Sequence, residues 1–250
     1  MKPSISKDKR YTLGAVLFLL ILWEIVSRIV GAGILLPRPG ETWKELVQIV
    51  GSEDFWPAVI GTTTRSLIGF SLTLFTAVLF AVTAGLWKPL YYLFAPLVVI
   101  TKAAPPISII LLALIWLGTD KAPVLVGFLV IFPIIYTNIV AGVDNVDAKL
   151  IEMAAMYRIR RLRRLSEIYL PSIMPYVLAA CSTALGLNLR VVIMAEVLSQ
   201  PPISMGTSLQ SARIFLNTAG VFAWTMVAIA LAALFDYSVS FLRKKLEAWR

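Results

Sequence analysis

The chain has 250 residues, 59% of them hydrophobic and only 15% charged, with a mean hydropathy of +0.83. Soluble domains carry about 25% charged residues, so this composition excludes a dissolved globular domain, and it is too apolar for a disordered one. The net charge of +9 then points to cations gathered on one side of a bilayer, because a nucleic-acid binder keeps its basic charge on a soluble surface.

A membrane-spanning helix needs about 20 mostly apolar residues. Residues 12–30 meet that length after a basic start (Lys2, Lys7, Lys9, Arg10). The stretch is too long for a signal-peptide core and no Ala-x-Ala site follows it, so it reads as an uncleaved first span. Glu24 and Arg28 stand four residues apart within it and form a structural pair. Residues 62–86 make the second span, with Ala77, Ala81 and Gly85 at the small-xxx-small spacing that lets helices approach closely in lipid. Lys88-Pro89 closes it. Residues 90–117 form a third apolar stretch, broken at Pro105-Pro106 just after Lys102. Gly118–Lys121 reads as a turn, and 122–142 is the fourth span, with Pro133 in its middle and Asn138 beyond it. After a polar segment, 171–198 is the fifth span and carries Cys181, Asn188, Arg190 and Glu196. Residues 199–218 read as a connecting loop, and 219–242 as the sixth span. The expected fold is an all-α integral membrane protein of about six transmembrane helices. It forms one domain over 1–250: a core over 60–243, the N-terminal span 12–30, and the loop 143–171.

With the N-terminus inside, the inner segments hold fifteen of the 23 Lys and Arg residues. The outer segments hold Arg38, Lys44, Lys121 and Arg213 only. The positive-inside rule therefore places both termini in the cytoplasm. Trp43, Trp56 and Trp116 fall at the outer boundary on this reading, and Trp87 and Trp249 at the inner one.

A connector between two spans needs only a few residues, so the polar segment 143–171 calls for a reason. Leu150, Ile151, Ala154, Ala155 and Ile159 recur at helical spacing, and Asp147 is placed to cap a short amphipathic helix. Two readings stand side by side. The helix lies on the inner leaflet, its arginines held by anionic lipid, or it is a docking surface for a cytosolic partner.

Glu152-Met153-Ala154, then Ile168, then Leu170-Pro171 follow the pattern Glu-Ala-Ala, three residues, Gly, nine residues, Ile, any residue, Leu-Pro. That pattern, with Leu36-Pro37-Arg38-Pro39, Pro105-Pro106, Val143–Asp147 and Ala195–Leu198, resembles the permease subunit of bacterial ATP-binding-cassette (ABC) importers of the nitrate/sulfonate/taurine type. The likeness runs from about Trp23 to Arg243. It implies that Glu152, Met153, Ala154, Ala155, Met156, Tyr157 and Arg158 form a coupling helix seated in an ATPase cleft. Two departures stand out: Met153 replaces the family's first alanine, and Arg158 its glycine. The second bears on the turn after the helix, where left-handed backbone is uncommon for residues other than glycine.

The resemblance further implies two cytosolic ATPase subunits carrying ATP and Mg, an extracytoplasmic substrate-binding protein, a second copy of the chain, and a place in the bacterial inner membrane. No nucleic acid is involved, and this chain binds no cofactor or metal itself. The solute is a small one, with an anion such as nitrate, a sulfonate or taurine favoured, and a vitamin or its precursor, such as riboflavin or a thiamine-precursor pyrimidine, as the alternative. No P-loop occurs, so ATP hydrolysis by that route belongs to another chain. The chain has no histidine and one cysteine, which removes histidine acid–base chemistry and thiolate clusters. An integral-membrane enzyme working through Glu152, Glu196 or Asp236, or a passive pore, remains the reading from another class.

Ionisable residues inside spans are functional candidates by default. Lys102, Pro105, Pro106, Asn138, Asn188, Arg190 and Glu196 are therefore assigned to a substrate path. A structural pairing of Arg190 with Glu196 or Asp236 is the competing reading. Arg65, at the outer end of its span, is expected to snorkel without a special role, and Cys181 to pack as a small residue.

Overall fold

The computed structural model describes residues 5–247. Lys2, Trp249 and Arg250, counted above for orientation, lie outside the described residues. The described residues form helices joined by short turns: α1 Ile5–Val30, α2 Pro39–Val50, α3 Phe55–Leu86, α4 Lys88–Ala103, α5 Pro106–Asp144, α6 Ala148–Met156, α7 Arg161–Arg164, a π-turn Leu165–Tyr169, α8 Leu170–Ser199, α9 Met205–Ile214 and α10 Thr218–Glu247. Four stretches among the described residues are long and apolar enough to cross a membrane: Phe55–Leu86, Pro106–Asp144, Arg161–Ser199 and Thr218–Val239.

The centre of the bundle is α5 packed between α3 and α8. Small residues make that packing tight. Ala77 and Ala81 of α3 are fully buried, and a Cβ on Gly85 would fall 2.6 Å from Val143 Cγ1 of α5, as the small-xxx-small spacing predicts. Gly118 has φ +72° and ψ −175°, which no helix contains, so α5 is two limbs. The expected turn at 118–121 falls on that break. Ile110 and Ala113 of the first limb share one apolar cluster with Ala122 and Val126 of the second and Val191 and Ala195 of α8. The limbs could not both reach that short stretch of α8 from a straight helix.

Two expectations change. The segments between spans are not plain loops: α2 and α9 lie in them. The fifth span also begins before Pro171, because the helix continues back to Arg161 through the π-turn. Pro171 has no N–H to return to residue 167, and the preceding turn widens so that Leu170 N–H bonds Leu165 O.

At the other end, Trp23 of α1 stacks on Phe222 of α10 at 5.4 Å and donates its Nε1–H to Pro37 O at 3.0 Å. Asn217 donates to Glu45 of α2 at 2.7 Å. These contacts fasten α2 to α1 and α10.

Candidate functional site

Two regions concentrate the chemistry. The first is α6. Asp147 caps it by accepting from Lys149 N–H at 2.9 Å. At the other end Arg158 N–H bonds Ala155 O and Ile159 N–H bonds Ala154 O, the paired bonds of a Schellman motif. That motif requires a left-handed residue, and Arg158 supplies it with φ +51°. The turn expected of the family's glycine is thus present without the glycine. Ala154 is buried in the core. Glu152, Met153, Ala155, Met156, Tyr157 and Arg158 are all exposed, Met156 at 80% and Tyr157 at 76%. The small Ala154 therefore lets α6 approach its own bundle, and the remaining six residues make a free face.

The second region is a buried carboxylate. Glu196, near the end of α8, is fully buried. Thr62 Oγ1 donates to its Oε2 at 2.8 Å and accepts from Met205 N–H at 3.0 Å. Gly206 N–H donates to the same carboxylate oxygen at 3.3 Å. Two of the N–H groups that α9 cannot satisfy internally are thus taken up, and the negative charge sits at the positive end of that helix. Arg65 Nη1 donates to Glu196 Oε1 at 3.2 Å and to Ile203 O at 3.1 Å, while its Nη2 donates to Asp120 Oδ1 at 3.1 Å. One carboxylate and one guanidinium so join α3, α5, α8 and α9.

This arrangement overturns the expectation for Arg65, which clamps rather than snorkels. It also removes one of the two pairings offered for Arg190, since Glu196 is occupied. The other is not formed either: Arg190 and Asp236 make no ion pair, although both line one groove. The pair Glu24–Arg28 is present, at 2.6 Å.

The residues assigned to the path part company. Asn188 is fully buried and donates to Ser66 O at 2.8 Å and Ser66 Oγ at 3.0 Å. It ties α8 to α3, just as Glu196 ties α8 to α9. Asn138 is exposed and donates to Ile134 O of its own helix at 2.8 Å. Pro105 and Pro106 form the α4–α5 joint and are exposed. Lys102 is exposed in a hollow of about 330 Å3 shared with Tyr91, Tyr136 and Asp144, separate from the groove of Arg190. Sequence reasoning missed Thr62 and Asp120 as members of the clamp. Thr62 and Arg65, three residues apart on one helix face, were the available signal for the clamp.

A bundle of long apolar helices with a capped surface helix is the architecture of a multi-pass membrane protein. The chain belongs to the family described as the binding-protein-dependent transport system inner membrane component, whose model matches residues 74–248. It is a non-catalytic permease subunit of an ABC transporter in the inner membrane. It is 27% identical over 252 residues to the taurine transport system permease protein TauC of Escherichia coli, covering 98% of this chain and 91% of that one. It is also 27% identical over 238 residues to the putative aliphatic sulfonates transport permease protein SsuC of Bacillus subtilis, covering 93% and 84%. In fold it resembles the MetNI methionine ABC transporter in an inward-facing form, with a TM-score of 0.61 and 17% identity over 76% of this chain and 93% of that one.

Proposed function

We infer that this chain is the translocating subunit of an importer for small sulfonates such as taurine, driven by two ATPase subunits that dock on α6. The observation that carries the docking is the build of α6: capped at both ends, anchored through Ala154, and open over Glu152, Met153, Ala155, Met156, Tyr157 and Arg158. A short helix held this rigidly transmits a push rather than absorbing it. Closure of the ATPases on ATP would move α6, and through Ala154 and the π-turn would move α5 and α8 as packed bodies, opening the path to alternate sides.

The distribution of cations supports an inward α6, since the segment between α5 and α8 is the most basic of the chain. Both termini then lie in the cytoplasm, and α1 and α4 with the first limb of α5 supply the two crossings beyond the four apolar stretches. Two copies of the chain would enclose the path, and an extracytoplasmic binding protein would deliver the solute to the outer face. The sulfonate assignment follows the names of the relatives. A riboflavin transport system permease protein, RibX of Chloroflexus aurantiacus, 26% identical over 92% of this chain, supports a vitamin as the second reading.

Co-purification with a candidate ATPase and binding protein tests the scheme. Glu152→Ala and Ala155→Asp should abolish ATPase association and solute uptake while the permease still reaches the membrane. Retention of both activities in both variants sinks the docking reading. Uptake of labelled taurine against labelled riboflavin by the intact transporter separates the two solutes.

A further inference from the structure

On the described parts of α8 and α10, two charges have no partner among the described residues. Arg190 of α8 and Asp236 of α10 are both exposed, and both line one groove of about 450 Å3 between those helices. No ion pair or hydrogen bond joins them to each other or to any other described residue. Glu196, the nearest carboxylate along α8, is taken by Arg65.

Asp236 reaches across to α8: a Cβ on Gly186 would fall 2.6 Å from its Oδ1, so the carboxylate rests directly against that helix. Arg190 follows Gly186 by four residues and therefore projects from the same face of the helix. The groove between the two charges is otherwise apolar, with Leu189, Ile193 and Ile229, relieved only by the Thr225 hydroxyl.

An unpaired charge facing acyl chains is costly, so this face is turned away from lipid. A structural pair would close to hydrogen-bonding distance, and this one does not. Opposite charges set apart in an apolar frame, in a volume within the 300–1,000 Å3 of small-molecule sites, have the composition of a binding pocket. The ligand that satisfies both is a small molecule carrying an anion at one end and a cation at the other.

We propose that Arg190 and Asp236 form a substrate site on the translocation path that takes a short zwitterion. Arg190 holds the anionic head, Asp236 accepts from the ammonium group, and the carbon chain lies against Ile193 and Ile229. Asp236 is then the residue that selects an aminoalkanesulfonate over a plain alkanesulfonate. The inference rests on the sulfonate reading above.

Taurine and propane-1-sulfonate test it, since they differ chiefly by an ammonium in place of a methyl group. Uptake of each is measured for the complete transporter with its own binding protein, and the ratio of the two rates is compared between wild type and variants, so that the preference of the binding protein cancels. Asp236→Asn should lower the taurine-to-propanesulfonate ratio at least tenfold. Arg190→Gln should reduce both rates at least tenfold, and Arg190→Lys should restore part of each. A ratio unchanged in Asp236→Asn, or Arg190→Gln uptake equal to wild type, overturns the site while leaving the sulfonate reading in place. Wild-type transporter that imports neither sulfonate overturns the sulfonate reading and the inference with it.

Discussion

Replacing Arg65 by leucine should cost far more than replacing its partner Glu196 by glutamine, although each change removes the same ion pair. Glu196 is fully buried, while Arg65 keeps 16% of its side chain exposed. Without Arg65 the carboxylate remains inside with only the Thr62 hydroxyl and the Gly206 N–H to stabilise it. Leaving one member of a buried pair uncompensated costs about 3–5 kcal/mol, and water that enters from the open side of Arg65 sets the value at the lower end, about 3 kcal/mol. Glu196→Gln removes the buried charge itself. Its amide oxygen still accepts from Thr62 and Gly206, and Arg65 keeps Asp120 and Ile203 O, but the amide nitrogen then faces the Arg65 guanidinium, donor against donor, so the cost is about 1–2 kcal/mol, below that of a stranded charge. In the double variant no charge is stranded, which puts its cost well below that of Arg65→Leu alone and gives a coupling of about 2 kcal/mol for residues in direct contact. Equilibrium denaturation in mixed micelles reads these differences. If Glu196→Gln costs as much as Arg65→Leu, or if the double variant equals the sum of the singles, the carboxylate is not held by Arg65 in the way the geometry implies.

Three further outcomes follow from local geometry and are checked by the same denaturation assay. Gly206→Ala should destabilise by about 3 kcal/mol, the upper end of what overpacking typically costs, because its Cβ would fall 2.7 Å from the backbone nitrogen of Val197, which cannot swing aside. Arg158→Gly should stabilise by about 1 kcal/mol, since it removes the penalty of an L-residue in left-handed backbone, whereas the β-branched Arg158→Val should destabilise. Ala154→Leu should cost about 1–3 kcal/mol through overpacking beneath α6, while Ala155→Leu, on the exposed face, should change stability by less than about 0.5 kcal/mol. An equal effect of the last two would mean that α6 is seated by its other face.

The clamp and the groove together give α8 a division of labour. Its C-terminal end is fixed by Glu196 to α3 and α9, its middle by Asn188 to Ser66 of α3, and its N-terminal end runs through the π-turn towards α6. Only Arg190 on this helix offers an unpartnered charge. On the docking proposed above, a motion begun at α6 would run along one helix to one open cation, with polar bonds to α3 on the same helix resisting any slip between the two.

The amino-acid sequence by itself determined the parts of this protein that depend on local pattern. Long apolar runs mark membrane helices whatever their neighbours. Pro105-Pro106 and Gly118 break them, because a missing N–H and a positive φ are properties of those residues. Asp147 caps α6 for the same reason, and the spacing from Glu152 to Pro171 carries the family. The tertiary structure alone decided which polar groups meet. Arg65 and Glu196 stand 131 residues apart, and the spacing of Thr62 and Arg65 on one helix face does not say which carboxylate they meet. The choice depends on which carboxylate the packing of α3 against α8 brings within reach. Likewise Ala154 and Ala155 are equivalent as letters, and only the docking of α6 on the bundle turns one inward and the other out. Arg190 and Asp236 line one groove only because α8 packs against α10.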